Sequence, residues 1–303
     1  MNYQWYPGHM TKARRMMLED SKLIDLVIEL VDARVPMSSR NPDIDEIARG
    51  KSRIILLNKA DLADGKYNSQ WIDYFAKKGV YALEINARSG AGIKNILPLV
   101  QKACQEKIER DRKRGIINRP VRAMVVGIPN VGKSTFINSF AGKACAKTGN
   151  RPGVTKGKQW IRLNKNLELL DTPGILWPKF EDQKIGQRLA MIGSISDEIL
   201  EPEELAGAVI AYLEKEYPRM LKARYQMTDT EKEPVGNSSG TDDKTGDKDC
   251  EAAREILKEI CISRRCFQKG ETPDLPRAAR MVLDDFRSGK IGKITLEYPE
   301  EWT

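Results

Sequence analysis

Histidine is almost absent from this sequence: His9 is the only one in 303 residues, beside five cysteines. Cys104, Cys145, Cys250, Cys261 and Cys266 are irregularly spaced, and with a single imidazole they make neither a zinc-ligand pattern nor a disulfide framework. Long apolar runs are missing too. The opening "MNYQWYPGHMTKARRMM" lacks the apolar core of a signal peptide, and no later run reaches the length of a bilayer span. A cytoplasmic protein with no membrane partner is expected. Acidic residues are the scarcer charge, 43 against 51 Lys and Arg, and the net charge of +8 favours polyanionic partners, nucleotide or nucleic acid. None lies between Lys133 and Leu167, where Lys133, Lys143, Lys147, Arg151, Lys156, Lys158, Arg162 and Lys165 stand together. A solvated basic face and a contact with RNA phosphates both account for that run. No aromatic stacking motif is evident, so RNA would be met through folded shape and backbone. From Thr228 to Asp249 apolar residues nearly vanish, and a disordered loop is expected near 228–249.

What is present is an alternation of patterns. "LIDLVIELVDA", "RIILLN", "VYALEIN", "VRAMVVG" and "NLELLDTPG" read as strands, most of them apolar enough to be buried. Helical stretches separate them: Thr11 to Ser21, "SQWIDYFAKKG", one long helix over "GIKNILPLVQKACQEKIERDRK", and "GKSTFINSFAG". Strands alternating with helices predict an α/β domain with a doubly wound, mainly parallel sheet over residues 1–178. Beyond it, "EPEELAGAVIAYLEKEY" and "DLPRAARMVLDDFRSG" are amphipathic with no strand between, so residues 179–303 are expected to form a small helical domain. There Arg277, Arg280 and Arg287 recur at helical spacing before Lys290 and Lys293, a second candidate surface for RNA phosphates that a plain solvated helix face explains equally well.

"GIPNVGKS", Gly127 to Ser134, follows a strand and opens a helix, the context in which G-x-x-x-x-G-K-S cradles phosphates. Its glycines turn backbone N–H groups toward phosphate oxygens, the helix N-terminus adds partial positive charge, and Lys133 reaches the terminal phosphates. Asn130, Val131, Gly132, Lys133, Ser134 and Thr135 are the candidate contacts, with Ser134 a ligand for Mg²⁺. "DTPG" ends the next strand, where Asp171 can hold the water shell of the Mg²⁺ and the Gly174 N–H can meet a γ-phosphate. Between them Thr155, in "RPGVTKG", is positioned to complete the metal shell, or is part of a plain surface loop.

"NKAD" ends the strand "RIILL". The Asp61 carboxylate there can accept from N1–H and the 2-amino group of guanine, donors that adenine lacks. Asn58 can bond the base and brace loops, the stem of Lys59 can pack over the ring, and Ala60 completes the turn. "NAR", with Asn86 and Ala87, closes the following strand and is similar to the Ser-Ala-Lys element whose backbone N–H meets guanine O6. These motifs occur in the order base reader, base support, phosphate loop, threonine, "DTPG". Neighbouring termini can be joined while another loop is opened, so a circular permutation reconciles that order with one site.

With "WYPGHM", "VIELVDARVP", "LNKADL", "GIPNVGKST", "GVTKG", "LLDTPGILWP" and "DFRSGKIGKITLE", the chain resembles the circularly permuted GTPases of the ribosome biogenesis GTPase A (YlqF) family over nearly its full length. The resemblance implies a slow GTPase that is stimulated by ribosomal particles. It also implies binding of GTP and GDP, of the large ribosomal subunit precursor and of its rRNA, during late assembly. Ile175 stands where small GTPases similar to Ras carry a water-orienting glutamine, so the family-typical His9 is the candidate catalytic group beside Lys133 and Thr155. Asn130 is the candidate ligand of a K⁺ ion, as in related cation-assisted GTPases. A GTP-regulated RNA-binding or chaperone module, or a GTPase serving RNA modification, are the alternatives.

Overall fold

A computed structural model describes residues 8–116, 119–142, 159–180, 182–197, 200–227 and 245–302. Contacts divide the chain into two compact units, the first reaching Leu189 and taking in Gly193–Ser196 and Lys293–Thr303, the second made of Ala190–Ile192 and Asp197–Gly292.

The first unit is a six-stranded sheet in the order β3-β2-β1-β4-β6-β5, with β1 Leu26–Asp32, β2 Ser52–Asn58, β3 Tyr81–Glu84, β4 Val121–Val126, β5 Gln159–Arg162 and β6 Leu167–Asp171. Every residue of β1 is buried, as a central strand of a parallel sheet covered on both faces requires. All pairings are parallel except β5 with β6. Renumbered from β4 onward, the strand order reads 6-5-4-1-3-2, so the phosphate-loop strand is the first strand of the ancestral order and lies mid-sheet. That is the circular permutation expected from the motif order. Helices α1 (Gly8–Asp20), α2 (Asp43–Ile47), α3 (Gly65–Lys77), α4 (Ile96–Ala103), α5 (Gln105–Lys113), α6 (Lys133–Ala141) and most of α7 (Gln183–Met191) belong to this unit. α3 starts where the Asp64 carboxylate accepts from Lys66 N–H, and it buries Trp71 and Phe75 against Val31, Ile55 and Leu57.

Four expectations change. The single long helix breaks at Cys104, where the Ser52 hydroxyl donates to the Ala103 carbonyl at 2.7 Å and competes for the helix's own acceptor. The short antiparallel strand β5 was not anticipated, because three of its four residues are exposed and carry no apolar alternation. Of the expected loop, residues 228–244 lie outside the described residues, whereas 245–249 begin α10 (Thr245–Ser263): a helix nucleated by buried Ala253, Leu257 and Ile260 extends upstream at one hydrogen bond per residue. Finally, the boundary at 178 does not hold. α7 up to Leu189 and the last residues from Lys293 sit in the first unit, because Ile294 N–H donates to Leu62 O, Leu296 N–H to Arg34 O, and Trp71 Nε1 to Glu297 O.

In the second unit α8 (Pro202–Glu216), α9 (Met220–Tyr225), α10 and α11 (Leu275–Arg287) gather Leu205, Val209, Ile210, Leu257, Ile260, Val282 and Phe286 into a helical core. Asp274 caps α11 by accepting from Arg277 N–H at 3.1 Å.

Candidate nucleotide-binding site

The strand order reverses between β1 and β4, and in open α/β sheets ligands bind outside the carboxyl ends of strands at that switch point. β4 runs into Gly127, β6 into Asp171, β2 into Asn58, and the register sets Asp32 opposite Asn58 and Val125 opposite Asp171. The phosphate loop leads into α6, with Gly132 in left-handed backbone (φ 98°) just before Lys133. A Cβ on Gly132 would lie 2.5 Å from Asn58 Nδ2, so only glycine lets the loop approach the end of β2.

Lys133 is buried, and its Nζ donates to the Gly127 and Ile128 carbonyls at 3.1 and 2.9 Å. Burial lowers its pKa to about 8 against the opposing attraction of Asp171, and burial raises that of Asp171. Asp171 Oδ1 is buried without a hydrogen-bond donor. Thr172 Oγ1 ties the same strand end to Val125 O, and a Cβ on Gly174 would meet Lys133 Nζ at 2.8 Å. Ser134 and Thr135 occupy the first turn of α6, half-buried.

Asn58 joins the two halves of the site. Its Nδ2 donates to Val131 O at 2.8 Å while its Oδ1 accepts from Ala87 N–H at 3.0 Å. That second bond occupies the N–H expected to face guanine O6. Asn86 uses its side-chain oxygen within its own loop, accepting from Arg88 and Ser89 N–H, so its side chain supports the turn. Asp61 is exposed on the turn Ala60–Leu62, and Ala60 N–H donates to Ile85 O. Lys59, in left-handed backbone (φ 59°), pairs with Asp32 Oδ2 at 2.9 Å. Asp32, which also pairs with Arg34, lies in "VDARVP", a stretch from which the sequence alone singles out no candidate site residue.

Asn130 adopts φ 58° and donates from Nδ2 to Gly193 O at 2.8 Å. Thr155 and the side chain of His9 lie outside the described residues. The neighbour of His9, Met10, is buried and its Sδ accepts from Leu176 N–H at 3.4 Å, which sets the first turn of α1 beside the segment after Gly174. Of the basic candidates, Arg162, Lys165, Arg277, Arg280 and Lys293 are exposed. Arg287 is not a free phosphate contact: it donates to the Ala190 and Met191 carbonyls and pairs with Asp197, while Lys290 pairs with Asp285.

Residues 122–232 match the family model of 50S ribosome-binding GTPases. Over 302 residues the chain is 48% identical to ribosome biogenesis GTPase A of Bacillus cereus, covering 100% of this chain and 96% of that protein. The chain belongs to the ribosome biogenesis GTPase A family. Another member, from Thermotoga maritima, is 30% identical over 99% of this chain and 95% of its own length. The crystal structure of GNP-bound YlqF from T. maritima is similar with a TM-score of 0.61 at 27% identity, covering 95% of this chain and 99% of that one. Its GDP-bound form has a TM-score of 0.62 at 26% identity, covering 94% of this chain and 100% of that one. As a member of that family, the protein is a GTPase with a circularly permuted P-loop domain and a helical C-terminal region.

Proposed function

We propose that this protein is a cytoplasmic GTP-hydrolysing switch that binds the large ribosomal subunit precursor and its rRNA and acts in late assembly. The observation that carries its nucleotide chemistry is Asn58, which bonds the phosphate loop through Val131 O and the base-support loop through Ala87 N–H. Phosphate and base readers far apart in the chain thus act as one site. Asp61 selects guanine, the Lys59 stem packs on the ring, and Ala60, Asn86 and Ala87 shape the base pocket. Val131, Gly132, Lys133, Ser134, Thr135 and Gly174 cradle the phosphates.

The residues fit Mg²⁺: the buried Asp171 carboxylate has an oxygen without a donor, a natural acceptor for a metal-bound water, and Ser134 brings a hydroxyl to the first turn of α6. Thr155 would complete the ligand set. Mg²⁺ supplies neutralisation of charge on the β- and γ-phosphates. Asn130 offers a side-chain oxygen of the kind K⁺ accepts, its amide nitrogen being held by Gly193 O. Ile175 is buried and cannot orient water, so His9 takes that part, supported by the docking of Met10 against Leu176. No described helix is long and apolar enough to cross a membrane.

The test is GTP turnover with purified large subunits, small subunits and tRNA. Stimulation by large subunits alone is expected. Equal turnover with all three would instead indicate a general RNA-binding module.

A further inference from the structure

β1 ends in the stretch "DARVP", whose first residue carries more ionic contacts than packing requires. Asp32 is fully buried. Its Oδ1 accepts from Arg34 Nε at 2.9 Å and from Arg34 N–H at 3.1 Å, and its Oδ2 takes Arg34 Nη2 at 2.8 Å and Lys59 Nζ at 2.9 Å. Burial opposes the charge on Asp32, but the cations of Arg34 and Lys59 outweigh it and hold the carboxyl far below the usual range. The backbone is fixed as firmly. Asp32 N–H donates to Ser39 Oγ at 3.0 Å, and Ala33 N–H donates to the carbonyl of Asn58, the first residue of "NKAD".

Arg34 alone would neutralise Asp32, so the second cation calls for its own account. Lys59 sits in left-handed backbone, a conformation that is costly for an L-residue and persists only where surroundings over-determine it. Its side chain runs from the end of β2 to the end of β1, where Asp32 takes the ammonium. The stem therefore crosses the carboxyl edge of the sheet from one strand end to the other. A lysine left to solvent would sample many rotamers and would lose that freedom each time a base packed on it.

We propose that Asp32 is a positioning residue for guanine: by holding the ammonium of Lys59 it sets the lysine stem as a preformed apolar floor for the base. The inference rests on the assignment of "NKAD" as the base reader. Arg34 is the anchor that keeps Asp32 ionised and still.

The experiment measures steady-state GTP hydrolysis and GDP release for the full chain carrying Asp32→Asn, Lys59→Met or both. Asp32→Asn is expected to raise KM and speed GDP release about tenfold with kcat held within twofold. Lys59→Met, which keeps the stem but not the charge, should raise KM similarly, and the double variant should be no worse than either single one. A structural role alone would lower the melting temperature and leave KM in place. KM within twofold of the parent for Asp32→Asn, or additive losses in the double variant, overturns the inference. If Asp32→Asn does not fold, Lys59→Met decides by itself, and a KM within twofold of the parent overturns it. Asp61→Asn separates the underlying reading: retained guanine preference there removes the base reader, whereas lost preference with an unchanged Lys59→Met removes only the role of Asp32.

Discussion

Asp61 and Asp32 end neighbouring stretches of the sheet edge in opposite environments, one exposed on its turn and the other sealed between two cations. The exposed carboxylate is available for a ligand, and the sealed one can act only through its partners. Asp61→Asn is therefore expected to keep the fold and lose guanine preference, since the amide presents a donor where two acceptors faced the N1–H and 2-amino donors. A donor facing a donor in a desolvated site shifts selectivity by about a hundredfold or more toward xanthosine triphosphate. Competition binding of the two nucleotides checks this, and an unchanged preference for GTP would remove Asp61 from base reading. The contrast also shows what sequence conveys at this scale. "NKAD" can be proposed from sequence because its residues are consecutive, whereas the pairing of Asp32 with Lys59 needs β1 laid beside β2 in a particular register. Arg287 failed for a related reason: helical spacing put it on a candidate basic face, and the carbonyls of Ala190 and Met191 with Asp197 drew it inward.

Elements were legible where burial dominates. β1, β2, β4 and β6 are apolar runs that a covered parallel sheet requires, and the phosphate-loop helix follows its glycines. Elements set by a single tertiary hydrogen bond or by an exposed edge were not, as the break at Cys104 and the strand β5 show. α1 is an element whose position matters more than its sequence does. Met10 docks at Leu176 N–H, so the turn bearing His9 starts beside the segment that follows Gly174, the proposed γ-phosphate contact. His9→Ala is accordingly expected to leave GTP affinity and subunit binding near the parent and to cut subunit-stimulated turnover at least tenfold, a transition-state loss of about 1.4 kcal/mol or more. Stimulated turnover within twofold of the parent would mean that another group positions the attacking water.

At the scale of the whole chain, both ends of the sequence serve the GTP-binding unit: the first described helix opens it and the last residues return to it. Glu297 shows how tightly the return is made. It is fully buried, its carboxylate accepts from Met37 N–H, Ser38 N–H and Ser38 Oγ, and Arg188 stands 3.6 Å away. The same loop carries Asn41, whose Nδ2 donates to Ile175 O, so the C-terminal segment braces a loop that touches the residue after "DTPG". Burial raises the Glu297 pKa from 4.5 to about 7 even though the Ser38 N–H, Arg188, the Ser38 hydroxyl and the Met37 N–H all favour its charge. Between those two values the unfolded chain has released a proton that the folded chain still holds. The resulting stabilisation is fully present below pH 4.5 and is lost as pH rises through 7. Glu297→Gln has no proton to release, so its stability relative to the parent should improve between pH 5 and pH 8 by on the order of 3 kcal/mol. Its absolute stability at either pH also depends on how the amide meets two backbone N–H donors, which is why the change with pH is the decisive quantity. Urea unfolding of both proteins at the two pH values measures it. An equal difference at pH 5 and pH 8 would show that Glu297 is already ionised in the fold at pH 5, held by its donors and Arg188 against the cost of burial.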